Sequence, residues 1–179
     1  MVALLLAGIG SILGVTGANA QTAPSTVATP LVGEFHRILN VASGKCLQPQ
    51  STSFGAPIVQ KTCDGSSAQG WFALDMGSNH FRFLNPSGWC MFVSDTLTNG
   101  GPVWQDECAV AGGTTVSNAE WKASAALPND VTLRSHVHFV DTNFCLDVPG
   151  GSTAEGLAVQ VWTCSGTYNP NQHWIVGLN

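Results

Sequence analysis

The sequence predicts an all-β domain made of three similar units, each with four short strands. Each unit begins with an apolar run, a polar turn and a second short run that opens at a cysteine. An alternation of apolar and polar residues precedes the second cysteine of each unit, as in "PIVQKTC", "PVWQDEC" and "AVQVWTC". The turns are rich in Gly, Asn, Asp and Pro, and no long helical period is present. Together these observations indicate about twelve strands.

The beginning and the end of each unit recur most clearly. The opening segments are "RILNVASGKCL", "RFLNPSGWCM" and "HFVDTNFCL". The last strand of each unit starts at a tryptophan, at Trp71, Trp121 or Trp174. A unit of this size cannot bury its own apolar face, so we expect the three units to share one core around these indole rings. The repeats span about residues 33–77, 78–126 and 127–179.

The six cysteines permit fifteen pairings, of which the repeat selects the one that treats every unit alike. Within each unit the second cysteine follows the first by 17, 18 or 19 residues. Closing a loop of this length stabilises the fold by roughly 3 kcal/mol, because it constrains the unfolded chain. The expected bridges join Cys46 to Cys63, Cys90 to Cys108 and Cys145 to Cys164.

The first twenty residues favour a secretory signal peptide. They carry no charge, are largely apolar and end in a small-x-small pattern, Ala18-Asn19-Ala20. An uncleaved membrane anchor is the alternative, and no other apolar run is long enough to span a bilayer. Residues 21–32 are rich in Ser, Thr and Pro, so we expect a flexible tail, either bare or O-glycosylated. The mature protein is therefore expected outside the cell.

The charge pattern argues against nucleic acid as a partner. The net charge is −5, and the six lysines and arginines are scattered along the chain. Binding to a phosphate backbone requires clustered cations that displace counterions. We therefore expect no nucleic-acid partner.

Two tripeptides carry a resemblance to a known family. "QGW" at residues 69–71 and "QHW" at residues 172–174 are similar to the Q-x-W signature of ricin-type lectin domains, which are β-trefoils. The middle unit departs from the signature, with "AEW" at residues 119–121. The resemblance covers residues 33–179. It implies a β-trefoil of three pseudo-symmetric repeats and a secreted lectin whose partners are glycans, usually galactose or N-acetylgalactosamine.

The third unit holds the residues that a sugar site needs. A pyranose presents vicinal hydroxyls, which a carboxylate and amides bind well, and a patch of C–H groups, which packs on an aromatic ring. Asp147, Gln160, Trp162 and Asn171 supply these groups, and strand alternation puts Gln160 and Trp162 on one face. The resemblance implies that Asp147 accepts from hydroxyls, Trp162 stacks on the ring and Asn171 donates. It further implies that Gln172 supports Asp147 and that Gln160 adds a contact.

The first two units lack this combination. The position equivalent to Asp147 holds Gln48 in the first unit and Phe92 in the second. The position equivalent to Trp162, whose ring would be the stacking platform, holds Lys61 and Asp106. A two-residue shift in the second unit could instead put Trp104 on the platform. We therefore expect one main sugar site, in the third unit.

Other functions remain as alternatives. His136 and His138 fall on one face of a strand with Asp141 nearby, a pattern that can bind a metal, although a third ligand is not evident. Glycoside hydrolysis needs two placed carboxylates, and only Asp147 stands at the predicted site. We therefore expect no enzyme activity, cofactor or metal. The alternatives are a trefoil that inhibits proteases or binds proteins, and a binding module derived from a glycoside hydrolase.

Overall fold

A computed structural model describes residues 35–108 and 117–178. The expected signal peptide (residues 1–20) and tail (residues 21–32) lie outside these ranges. None of the helices in the described ranges is long and apolar enough to cross a membrane. The twelve strands are β1 (Arg37–Asn40), β2 (Cys46–Pro49), β3 (Ile58–Lys61), β4 (Phe72–Gly77), β5 (His80–Leu84), β6 (Trp89–Val93), β7 (Gly101–Glu107), β8 (Glu120–Ala123), β9 (Asp130–Val137), β10 (Val140–Asp147), β11 (Gln160–Thr163) and β12 (His173–Leu178).

The strands pair as a β-trefoil, which confirms the predicted fold class. Antiparallel pairs β1–β12, β12–β9, β9–β8, β8–β5 and β5–β4 form a ring. The ring closes through a bridge between His36 and Trp71, whose backbone amides and carbonyls exchange hydrogen bonds of 2.8 Å. The remaining strands form three hairpins, β2–β3, β6–β7 and β10–β11, one from each unit. Each unit thus gives two strands to the ring and one hairpin.

The three repeat tryptophans are buried in the shared core, as the sequence predicts. Each indole N–H also donates to a backbone carbonyl in the hairpin of its own unit. The acceptor is always the residue after the first cysteine of the unit. The pairs are Trp71 with Leu47 at 3.0 Å, Trp121 with Met91 at 3.1 Å and Trp174 with Leu146 at 3.0 Å.

The three disulfides join the cysteines that the repeat pairs, and the described residues include no free cysteine. Their Cα–Cα distances are 5.1, 4.8 and 5.0 Å. In the third unit Cys145 lies opposite Trp162 in the β10–β11 ladder, and Cys164 follows directly after β11. The bridge therefore closes the open end of the hairpin.

Two buried glutamines connect different units. The Gln60 side-chain amide donates to the carbonyls of Ser152 and Ala154 at 2.6 and 3.0 Å. The Gln105 amide donates to the carbonyl of Ser51 at 3.1 Å and also to that of Ser53. Each glutamine therefore holds the hairpin loop of another unit.

We expect Trp174→Phe to lower the free energy of unfolding by about 2–4 kcal/mol, because it leaves the buried Leu146 carbonyl without its donor and opens a small cavity. Trp71→Phe should cost a similar amount because its contacts are equivalent. Trp162→Phe is the matched control, since this indole is 43% exposed, and it should change stability by no more than about 0.5 kcal/mol. Urea unfolding of the three variants tests this, and equal losses for Trp162 and Trp174 would contradict it.

Candidate functional site

The five predicted site residues lie on the β10–β11 hairpin and on the segment that leads into β12. In the hairpin ladder Asp147 is directly opposite Gln160, and Trp162 is opposite Cys145. Asp147 and Trp162 are therefore diagonal neighbours on one face of the hairpin. Val161 points to the opposite side and is fully buried in the core. The alternation expected from the sequence is present, and it brings carboxylate, amide and ring to one face.

Asp147 is a buried carboxylate, with 5% of its surface exposed. Its Oδ1 accepts a hydrogen bond of 2.8 Å from Nε2 of Gln160. Burial raises the pKa of Asp147 above its ordinary value of 3.8, and hydrogen bonds from Gln160 and Gln172 offset only part of this rise. Within the described ranges no Lys, Arg or His forms an ion pair with Asp147. The carboxylate is thus held in place without a cation.

Trp162 is exposed beside this carboxylate, and a turn from the second unit approaches it closely. Gly100 has φ +84°, and a Cβ built on it would lie 4.0 Å from Cζ3 of Trp162 and 3.7 Å from Oε1 of Gln160. The Gly100 amide donates to the Val161 carbonyl at 3.0 Å. The backbone of the second unit therefore packs along one side of the site.

Asn171 is positioned mainly through its backbone. Its carbonyl accepts from the Asn40 side chain at 3.0 Å and from the Val148 amide at 3.1 Å. Its side chain lies against Gly151, where a Cβ would stand only 2.5 Å from the Asn171 Oδ1. Gly151 also has φ +63°. Only glycine readily adopts this φ and has no Cβ to clash with Asn171, so the absence of a side chain at Gly151 provides the space for the Asn171 amide.

Gln172 is buried and crosslinks the backbone around the site. Its Oε1 accepts from the Ser165 amide at 2.8 Å, and its Nε2 donates to the Thr163 carbonyl at 3.1 Å. Gln69 makes the equivalent bonds in the first unit, with the Asp64 amide at 3.0 Å and the Thr62 carbonyl at 2.8 Å. This glutamine is therefore part of the repeat framework, and in the third unit its side chain also lowers the pKa of Asp147.

The loop after Asp147 is fastened to the first unit. Besides the bonds from Gln60, the Glu155 carboxylate accepts from the Thr62 amide at 3.1 Å and from the Thr62 hydroxyl, and it forms an ion pair with Lys45. Hydrogen bonds from Lys45 and Thr62 lower the pKa of Glu155 to about 2. These supporting residues could not be predicted from local sequence patterns, because they lie about a hundred residues from the loop.

The corresponding place in the first unit is an uncharged cavity. Oε1 of Gln48 accepts from Nε2 of Gln69 at 3.2 Å. A cavity of about 250 Å³ extends from here to the second unit. Its lining includes Pro49, Ser51 and Ala68, and contains neither a carboxylate nor an aromatic ring. It offers no charged acceptor and no stacking surface.

In the second unit two aromatic rings fill the place of the carboxylate. Phe92 is opposite Trp104, and Cys90 is opposite Asp106, so the register equals that of the third unit. The ring centroids of Phe92 and Trp104 are 5.5 Å apart, and the Trp104 indole donates to Asp106 at 2.9 Å. The two-residue shift that would put Trp104 on the platform is absent from this hairpin.

The prediction that His136 and His138 fall on one face of a strand is wrong. β9 ends at Val137, and His138 takes a left-handed φ of 51° in the turn that follows. The His138 side chain is 71% exposed and its Nε2 lies 3.2 Å from Oδ1 of Asp95. His136 instead lies beside Asp141 and His80, a residue that the sequence did not single out.

Asp147→Asn should leave the protein at least as stable as the wild type at pH 7, because it removes a buried charge and keeps an acceptor for Gln160. A raised pKa in the folded state means that the wild type loses stability as the pH rises through that pKa. The advantage of the variant should therefore shrink towards zero as the pH falls below 3.8, the ordinary value for an aspartate. Thermal melts of both proteins between pH 3 and 7 test this, and a clear loss of stability at pH 7 would contradict it.

Comparison with known proteins places the chain among carbohydrate-binding domains. A family model described as the ricin-type β-trefoil lectin domain matches residues 34–174. Serine protease 1 of Rarobacter faecitabidus is 30% identical over 112 residues, which cover 53% of this chain and 20% of that protein. This chain thus spans about a fifth of the length of that relative.

Two solved structures show the same architecture. An exo-β-1,3-galactanase from Clostridium thermocellum superposes with a TM-score of 0.68 at 28% identity, over 84% of this chain and 31% of that chain. ThreeFoil, a designed three-fold symmetric protein, superposes with a TM-score of 0.67 at 26% identity, over 80% of this chain and 97% of that chain. Because the family model covers most of the sequence, the chain belongs to the ricin-type β-trefoil lectin family, whose domains bind carbohydrate.

Proposed function

We propose that the protein is a secreted lectin for galactose or N-acetylgalactosamine. One sugar ring would bind to the face formed by Asp147, Gln160, Trp162, Asn171 and Gln172. The observation that carries this proposal is the unpaired, buried carboxylate of Asp147 beside the exposed indole of Trp162. A buried charge without a cation is costly, so a protein retains it where a ligand uses it. At the equivalent described positions, the first unit has Gln48 and Lys61 and the second has Phe92 and Asp106.

The two residues match the two surfaces of a pyranose. The Asp147 carboxylate accepts hydrogen bonds from vicinal hydroxyls, and such charge-assisted bonds are roughly twice as strong as neutral ones. Gln160 holds one carboxylate oxygen at 2.8 Å and so fixes the direction of the other. Trp162 then packs against the C–H face of the same ring.

The preference for galactose rests on sugar chemistry and on the family. The axial 4-hydroxyl of galactose leaves a continuous C–H patch on one face of the ring, which suits stacking on a flat indole. A similar structure is that of an exo-β-1,3-galactanase, an enzyme named for a galactose polymer. The loop that follows Asp147 borders the site and is the part that would discriminate between related sugars.

Secretion fits the disulfides. Three bridges persist in an oxidising compartment and are rare in the cytosol. The proposed signal peptide (residues 1–20), tail (residues 21–32) and trefoil domain (residues 33–179) agree with export.

A second candidate function is a binding module of a larger enzyme. A serine protease and a galactanase each match this chain over less than a third of their own length. The sugar site proposed for the third unit would be the same in either case. A trefoil that inhibits proteases or only binds proteins would not need an unpaired carboxylate beside an exposed indole.

Calorimetry with galactose or lactose should give about one site per chain, with a dissociation constant on the order of 10 μM to 1 mM, because one ring gains few bonds beyond its desolvation cost. Asp147→Ala and Trp162→Ala should each abolish the signal, since they remove the acceptor and the platform. Thermal melts should remain nearly unchanged.

Gln48→Ala and Phe92→Ala are the matched controls, because they alter the equivalent position in the other two units and should leave binding intact. A glycan array with wild-type protein and Asp147→Ala would identify the sugar independently. Normal binding by Asp147→Ala, or uptake of two or three sugars per chain, would show that another unit carries the site.

Sugar affinity should fall as the medium becomes acidic, because only the ionised carboxylate accepts two hydroxyl bonds. Since burial raises the pKa of Asp147, the midpoint of this loss should lie above pH 3.8. Affinity measured from pH 7 down to pH 4, with circular dichroism to verify folding, tests this. An affinity that stays constant over this range would exclude Asp147 as the acceptor.

A further inference from the structure

A second cluster of functional side chains lies at the other end of β10 from Asp147. It comprises His80 on β5, His136 on β9 and Asp141 on β10, and we call it the histidine cluster. One nitrogen or oxygen atom from each of these residues lies within 4.8 Å of the other two. Nε2 of His80 and Nδ1 of His136 are each 2.8 Å from the same atom, Oδ1 of Asp141. Three donor atoms of the kinds that bind transition metals therefore converge on one point.

Oδ1 of Asp141 is the common acceptor of this cluster. A carboxylate oxygen only accepts, so both imidazoles must direct an N–H at Asp141. Nδ1 of His80 lies 3.3 Å from the Gly77 carbonyl, which is another acceptor. Both nitrogens of His80 therefore face oxygen atoms. A metal ion bound to Oδ1 and to the two ring nitrogens would replace both of the contacts that now converge on Asp141.

His80 and Asp141 each have an outer partner within hydrogen-bond distance that would orient them as ligands, and a carboxylate lies near His136. The Gly77 carbonyl faces the far nitrogen of His80. Oε1 of Glu120 lies 3.8 Å from Nε2 of His136, and Nζ of Lys122 lies 2.9 Å from Oδ2 of Asp141. Metal-bound histidines usually donate their second N–H to a carbonyl or a carboxylate, and ligating carboxylates are themselves hydrogen-bonded.

We propose that His80, His136 and Asp141 bind one divalent transition-metal ion, with Zn²⁺ as the best fit. Two imidazoles and a carboxylate suit zinc, and water would complete a tetrahedron. Zinc distances of about 2.0–2.2 Å separate tetrahedral ligand atoms by about 3.3 Å, so the two histidines need to draw back by about half an ångström. The Asp141 side chain is 30% exposed, which leaves an approach for the ion. This proposal replaces the expectation that the chain binds no metal.

The proposed zinc site is separate from the sugar site and would join two units. Asp141 and Asp147 are six residues apart on β10, which corresponds to about 20 Å along a strand. His80 belongs to the second unit, whereas His136 and Asp141 belong to the third. Zinc would therefore stabilise the contact between these units and would not take part in sugar binding.

The experiment is a calorimetric titration with ZnCl₂ of the protein without a histidine tag, after removal of metals by a chelator. We expect one equivalent of zinc per chain and a higher melting temperature in its presence. His80→Gln and Asp141→Asn should each weaken zinc binding by at least about tenfold, since even outer partners of a metal site contribute that much. Cobalt(II) should give the visible absorption of a four-coordinate ion in the wild type only.

His138→Ala is the matched control, because His138 is only two residues from His136 but points away from the cluster, and it should bind zinc like the wild type. Folding of each variant is verified by its retained sugar binding, and Asp141→Asn alone carries the test if His80→Gln does not fold. Absence of zinc binding by the wild type, or undiminished binding by Asp141→Asn, would overturn the proposal. Loss of sugar affinity in chelator would contradict the independence of the two sites.

Discussion

The hydrogen bond from each repeat tryptophan to a hairpin carbonyl connects the core of this protein to its surface. The acceptor in the third unit is Leu146, the residue immediately before Asp147. Because this carbonyl is fixed by a fully buried indole, the backbone at the next residue has one orientation, and its side chain projects onto the outer face of the hairpin. The same bond exists in the first two units. The framework therefore presents one equivalent outward position three times, and the residue at that position differs between the units.

Asp147 puts an uncompensated buried charge at this position, which the other two units do not have. Burial raises its pKa, and no cation in the described part of the chain compensates its charge. Gln48 forms a neutral hydrogen bond with Gln69 instead, and Phe92 packs against Trp104. Gln48 and Phe92 thus fill the equivalent positions without an unpaired charge. The carboxylate in the third unit thus lowers local stability, and the proposed sugar binding would account for it, since functional sites commonly keep a polar group in a poorly solvated place.

Local patterns in the sequence were sufficient to predict the framework of each unit. They were insufficient to predict the contacts between units. Cysteine spacing and strand alternation predicted the disulfides, the tryptophan core and the common face of Gln160 and Trp162. Gly100 and His80 could not be predicted in this way, because they reach their neighbours through strand pairing between units. The predicted common strand face of His136 and His138 is absent for a local reason. The strand ends one residue before His138, and the left-handed turn directs that side chain to solvent.

The bonds from Gln60 to the carbonyls of Ser152 and Ala154 have a consequence for how such a protein evolves. Tandem duplication of a unit copies the carboxylate, the amide and the indole together, but the loop beside them is held by a glutamine that belongs to a different unit. A copied unit therefore carries the side chains of this face, whereas the support of its loop comes from a neighbouring unit. The first unit, which has neither a carboxylate nor an indole at the equivalent positions, contributes Gln60, Lys45 and Thr62 to its neighbour. Selection on the loop beside Asp147 would thus constrain the sequence of a different repeat.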